Sequence, residues 1–154
     1  MSRNLHKQLQ LTRSSEEKQA LIDGRSLGEL KSFALFVQQN IHDIHEKTEA
    51  FSYIIKSFIL HNLDGFDYLR FNDLIGENEY SINKLQRPTE ELLKEIKSES
   101  EARNITSTDA FESIRSIPRI AKIIEQMAHV FIHAEKQKIE KDKVFPTHIH
   151  RNSR

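Results

Sequence analysis

Histidines at helical spacing are the residues of this sequence best suited to do chemistry. His129 and His133 are four residues apart, so on a helix their imidazoles share one face. Such a pair can hold a divalent transition metal at about 2.0–2.1 Å if further ligands complete the site. His45 is the candidate third ligand, with His42 and Glu49 close to it in the chain. A metal site is therefore one interpretation of this pattern.

His45, His129 and His133 also give the chain a resemblance to the DinB-like bundles. Those proteins have a single histidine in an early helix and an HxxxH pair in a late one. The resemblance implies a histidine-ligated, metal-binding four-helix bundle that uses these three residues as ligands. It covers these residues and their order; after His133 the chain reads AEKQK, where the family usually has a His-Arg-Gly-Gln-like continuation.

The helical phase of the late histidines favours a different interpretation. At about 100° per residue, the apolar stripe of this segment lies within about 40° of Ile120, whereas His129 and His133 lie near 180° and 220°. A metal site in a bundle core needs ligands that face inward. The main prediction is that these histidines lie on a solvated face and that the protein has no cofactor. The metal site remains the alternative.

Composition predicts a single all-α domain. The chain has 154 residues with only four glycines and three prolines, and 30% of its residues are charged. Cysteine is absent, which excludes disulfides, thiolate metal sites and thiol nucleophiles. The sequence shows neither an apolar run of the roughly 18–20 residues that span a bilayer nor a secretory signal. We therefore expect a cytoplasmic protein without membrane contact.

Two long amphipathic helices are predicted to build a helical bundle, over about 28–62 and 117–139. The first has an apolar stripe at coiled-coil spacing that starts at Leu30, and Ser26 with Glu29 forms a capping-box pattern before it. The pattern leaves open whether 28–62 is one helix or two, with Thr48 as a possible break. Shorter peripheral helices are predicted over 14–23, 65–76, 88–104 and 107–115.

Charge divides the chain into three parts. We assign residues 1–25 to a basic N-terminal segment with a short helix, 26–140 to the bundle domain and 141–154 to a flexible basic tail. The whole chain carries 23 basic and 23 acidic residues, so it has no overall positive field. Nucleic acid is therefore disfavoured as a partner.

Apolar residues outside the stripe of the first long helix predict a contact surface, because exposed apolar patches usually mark interfaces. These residues are Phe36, Tyr53, Ile54 and Leu60. The predicted function is a non-catalytic protein–protein interaction module, such as an adaptor, chaperone, inhibitor or immunity-type protein. It would bind a protein partner or form a homo-oligomer. In the opposing interpretation, peripheral helices simply cover these four residues.

Overall fold

The computed structural model describes the backbone of residues 2–63, 74 and 79–149, and the side chains of 2–63, 74 and 83–133. Over these residues the chain is helical and contains no strand, which confirms the all-α prediction. The helices are α1 (Ser2–Leu11), α2 (Ser15–Asp23), α3 (Leu27–Asn40), α4 (Ile44–His61), α5 (Glu79–Arg103), α6 (Ser107–Ile114) and α7 (Pro118–Ile149). Within the described part, none of them is both long and apolar enough to cross a membrane.

The helix pair α4–α7 forms the centre of the bundle. α7 packs against α4 on one side and α5 on the other, and α4 also contacts α2 and α3. α1 covers part of α3, and α6 packs on α5. At the centre the rings of Phe51 and Phe131 lie 5.8 Å apart in a tilted arrangement, and both side chains are fully buried. Aromatic pairs at this separation add to the stability that burial provides.

Side-chain caps fix where several helices begin. Ser26 accepts a hydrogen bond from the Glu29 backbone N–H (3.2 Å), and the Ser26 N–H donates to the Glu29 carboxylate (2.9 Å). This is the predicted capping box, and its backbone hydrogen bond lowers the pKa of Glu29 below the usual value. Ser14, Asp43 and Thr106 are the N-caps of α2, α4 and α6, and the side chain of each accepts a hydrogen bond from a backbone N–H three residues on. Local sequence thus determines these boundaries.

The segment 28–62 is two helices, and the break lies before Thr48. α3 ends at Asn40, Ile41 is extended, and α4 starts after Asp43, whose carboxylate accepts a hydrogen bond from the Glu46 N–H at 2.9 Å. The aspartate competes with helix continuation by capping a new helix. The apolar stripe continues across the break because both helices bury residues in the same core.

The boundaries of α5 and α7 also differ from the predicted ones. α5 runs through Pro88, so Thr89 is an interior, buried residue and not an N-cap. α7 starts one residue later than predicted, with Pro118 in its first turn, and it continues past Ile139 to Ile149. The tail predicted over 141–154 therefore begins as helix, and 150–154 lies outside the described residues. So does the helix predicted over 65–76, except for Leu74, which is buried.

Candidate functional site

A groove of about 610 Å³ lies between the start of α2 and the adjoining faces of α4 and α7. α4 lines it with residues spaced three or four apart, which therefore share one helix face: His45, Thr48, Glu49, Ser52 and Lys56. The α7 side of the groove is lined at four-residue spacing by Ala121, Glu125 and His129. Small side chains such as Ser52 and Ala121 fill little of the space between these two helices. The groove follows from this choice of residues.

Apolar groups also line the groove. Ile44, the first residue of α4, is 49% exposed at one end, and Tyr53 contributes to the wall while only 7% of its side chain is exposed. Ile44 lies two heptads after Leu30 and so continues the spacing of the predicted apolar stripe, but it follows the break before α4 and lines the groove. The site therefore combines apolar surface with charged side chains, as binding pockets commonly do.

Two hydroxyl groups of the groove, those of Thr48 and Ser52, are bonded within their own helix. Thr48 donates to the Ile44 carbonyl at 2.7 Å, and Ser52 donates to the Thr48 carbonyl at 2.9 Å. Nucleophilic catalysis instead needs a hydroxyl that is hydrogen-bonded to a base. Among the described residues that line the groove, the structure shows no hydrogen bond joining one side chain to another. Neither the Thr48 nor the Ser52 hydroxyl is therefore hydrogen-bonded to a base that lines the groove.

Lys56 is the half-buried cation of the groove. Burial lowers the pKa of its amine, the nearby Arg115 lowers it further, and Asp23 opposes both effects. Its Nζ lies 5.8 Å from the centre of the Tyr53 ring, a cation–π distance. Asp23 itself pairs with Arg115 at 2.7 Å. It also accepts a hydrogen bond from Gln19 at 3.0 Å, so its carboxylate is already engaged by other groups.

The structure brings two of the three predicted metal ligands to the same groove. His45 and His129 both line it, although they are far apart in the chain. His133 is exposed and is not part of the lining, and the exposure of both late histidines agrees with their helical phase. Within the described residues, no set of three histidine or acidic side chains is placed to hold a metal ion. The predicted ligand set is thus not assembled in this part of the chain.

The four residues predicted to form a contact surface are largely covered. Ile54 is fully buried and Tyr53 nearly so, because α2 and α7 pack on either side of α4. Phe36 is half-buried, stacked on Phe33 with ring centres 6.2 Å apart and covered by α1. Leu60 is half-buried against the core. An exposed surface made of Tyr53 and Ile54 is therefore not available in this fold.

Sequence reasoning did not identify the groove or the role of Lys56 in it. One signal was present: Thr48, Ser52 and Lys56 form a polar line at four-residue spacing, and it runs into the strongly apolar second half of α4. Such a line predicts a helix face that does not pack tightly. The opposite wall could not be assigned, because nothing in the sequence shows that Ala121 and Ser52 line the same groove.

Comparison with protein-family models, with curated proteins and with solved structures finds no match to this chain.

Proposed function

We propose that this protein is a non-catalytic interaction module that binds a segment of a partner protein in the groove between α2, α4 and α7. The observation that carries the proposal is the pair of helix faces that leave a groove with one exposed apolar end at Ile44. A helical segment that lays its apolar face between two helices is a common mode of peptide recognition. We retain the expectation of a cytoplasmic protein from the sequence.

Apolar surface and charge have different roles in this proposal. Ile44 would contribute most of the affinity, because about half of this large apolar side chain still faces water and would be buried by a partner. Charged residues along the groove, Glu49, Lys56 and Glu125, would select the partner and fix its register. Thr48 and Ser52 both donate to carbonyls of α4, so a partner need not satisfy either hydroxyl hydrogen.

The test begins with a photo-crosslinking amino acid in place of Ser52, introduced into the protein in its own cells. Ser98, exposed on α5 and outside the groove, is the control position. We expect a discrete protein crosslinked from position 52 and not from position 98. The crosslinked segment is then synthesised, and its binding to the purified protein is measured by calorimetry.

Two variants with matched exposure decide the result. Ile44→Glu places a charge at the end of the groove, whereas Leu35→Glu does so on α3, where Leu35 is 52% exposed and outside the groove. We expect Ile44→Glu to weaken binding of the synthetic segment at least about tenfold, or about 1.4 kcal/mol, and Leu35→Glu to leave it unchanged. Equal binding to both variants, or loss in Leu35→Glu alone, would overturn the proposal. So would a crosslink only to a second copy of this chain in a dimer that persists in Ile44→Glu.

A further inference from the structure

Lys56 differs from the other half-buried cations near it because no carboxylate compensates its charge directly. Lys18 lies 3.8 Å from Glu49, and Arg115 lies 2.7 Å from Asp23. For Lys56, no acidic oxygen of the described residues lies within 4.0 Å of the amine. A partly desolvated charge without a partner is costly, so such groups are usually paired. Lys56 is one of the residues that line the groove.

The groups around Lys56 leave the charge of its amine uncompensated. Asp23 is the nearby acid that favours its charged form, but its two oxygens are already bonded to Arg115 and Gln19. Arg115 repels the amine, and Tyr53 offers it only a ring face. An anion entering the groove would therefore gain a charge-assisted hydrogen bond that no described residue of the chain provides.

The rest of the groove determines which anion fits. Glu49 and Glu125 line the same groove and would repel phosphate groups or a nucleic acid backbone. A partner segment with a single carboxylate at Lys56 avoids repulsion by the two glutamates when it carries basic groups further along its length. Glu49 precedes Lys56 by two helical turns of α4, a separation of about 10 Å. A helical segment that runs along α4 matches this separation with an acidic and a basic residue two turns apart.

We propose that Lys56 binds a carboxylate side chain of the partner segment, while Glu49 binds a basic side chain two turns away on the same segment. Glu49 can do so because its pair with Lys18 is long, at 3.8 Å, and leaves 52% of the Glu49 side chain exposed. The inference rests on the proposed function and adds the chemistry of its partner. Lys56 thereby sets the direction in which the segment lies. Reversing the segment would place its basic residue against the amine and its acidic residue against Glu49.

The experiment uses a library of short random peptides displayed on phage, selected separately on the wild type and on Lys56→Glu. Wild-type selections should be enriched in an acidic and a basic residue about seven positions apart. Lys56→Glu should weaken the wild-type peptides about tenfold or more. A peptide with its acidic residue replaced by lysine should regain affinity for this variant only. Lys94→Glu changes an exposed residue of α5 and is the control for overall charge, so we expect it to leave binding unchanged.

The outcomes separate the two proposals. If no selected peptide depends on Ile44, the proposed function fails. If peptides depend on Ile44 but bind Lys56→Glu and Lys56→Gln as they bind the wild type, the function stands and the role of Lys56 is overturned. Displacement of the peptides by millimolar inorganic phosphate, with no enrichment of acidic residues, would also overturn the carboxylate preference. Thermal melts followed by circular dichroism establish that each variant is folded.

Discussion

The two sides of the α4–α7 helix pair differ in packing although the same helices form both. On the closed side the buried residues are large and apolar, and they include Phe51, Ile54, Met127 and Phe131. On the groove side the helices carry Thr48, Ser52, Lys56, Ala121, Glu125 and His129. Large apolar side chains interdigitate and exclude water, whereas small and charged ones leave a space between the same backbones. The difference shows that one helix pair can provide both stability and a binding site.

The largest expected effect comes from the closed side. Ile54→Ser removes a fully buried side chain from the core and introduces a hydroxyl there, so we expect a loss of about 4 kcal/mol of unfolding free energy. Urea denaturation followed by circular dichroism measures it. Ser52→Ala, two residues away on the groove side, should change this free energy by less than about 0.5 kcal/mol. If Ile54→Ser instead keeps the stability of the wild type, Ile54 belongs to a contact surface and not to the core.

The ion pair between Asp23 and Arg115 should give an intermediate effect. Both side chains are mostly buried, and Asp23→Asn would leave Arg115 without its carboxylate and close to Lys56. We expect a loss of about 2 kcal/mol in the same urea experiment. The control is Glu99→Gln, which breaks the more exposed pair with Arg103 and should cost about 0.3 kcal/mol. Similar losses for both variants would mean that Asp23 contributes no more than a surface charge.

The smallest effect should come from Lys56, and its sign is opposite. Lys56→Met removes a partly desolvated charge and keeps the aliphatic chain, so we expect a gain of about 0.5–1 kcal/mol near neutral pH. The pKa of Lys56 is lower in the folded than in the unfolded chain, whose ordinary value is 10.5. In the window just below 10.5 the unfolded chain binds more protons, so the wild type gains stability as pH rises.

The difference between Lys56→Met and the wild type should therefore shrink from about pH 7 to about pH 10. Paired urea titrations at several pH values measure it. Lys94→Met replaces an exposed lysine and should show a difference that does not depend on pH in this range. A constant difference for Lys56→Met would indicate that burial of the amine does not affect stability. The stability gained in Lys56→Met would be accompanied by loss of the contact that Lys56 is proposed to make with the partner's carboxylate.

Local signals in the sequence predicted much of the fold. The capping box at Ser26 and Glu29, the first turn of α7 at Pro118 and the short helices near 14–23 and 107–115 were all readable. These features depend on residues within a few positions of one another. Whether 28–62 is one helix or two stayed open, because the apolar stripe persists across the break before Asp43. Two helices that share a core can keep the same periodicity as one.

The site was predicted less well, because burial depends on neighbours that are distant in the chain. Tyr53 and Ile54 lie outside the apolar stripe of α4, yet they are buried by helices that approach α4 from other sides. Phe36 is covered by α1, a helix that the sequence analysis did not predict. His45 and His129 were associated by residue type, and the structure does place them in one groove, but not with a third ligand among the described residues.

The sequence by itself determined that the chain is helical, where several helices begin and that the late histidines face outward. Each of these follows from short-range hydrogen bonding or from helical periodicity. Only the tertiary structure decided that Ser52 and Ala121 line one groove and that Lys56 lies there without a carboxylate of the described residues within ion-pair distance. The first depends on the distance between α4 and α7, and the second depends on Arg115 and Gln19 occupying the Asp23 carboxylate. Neither can be derived from the linear pattern of residues.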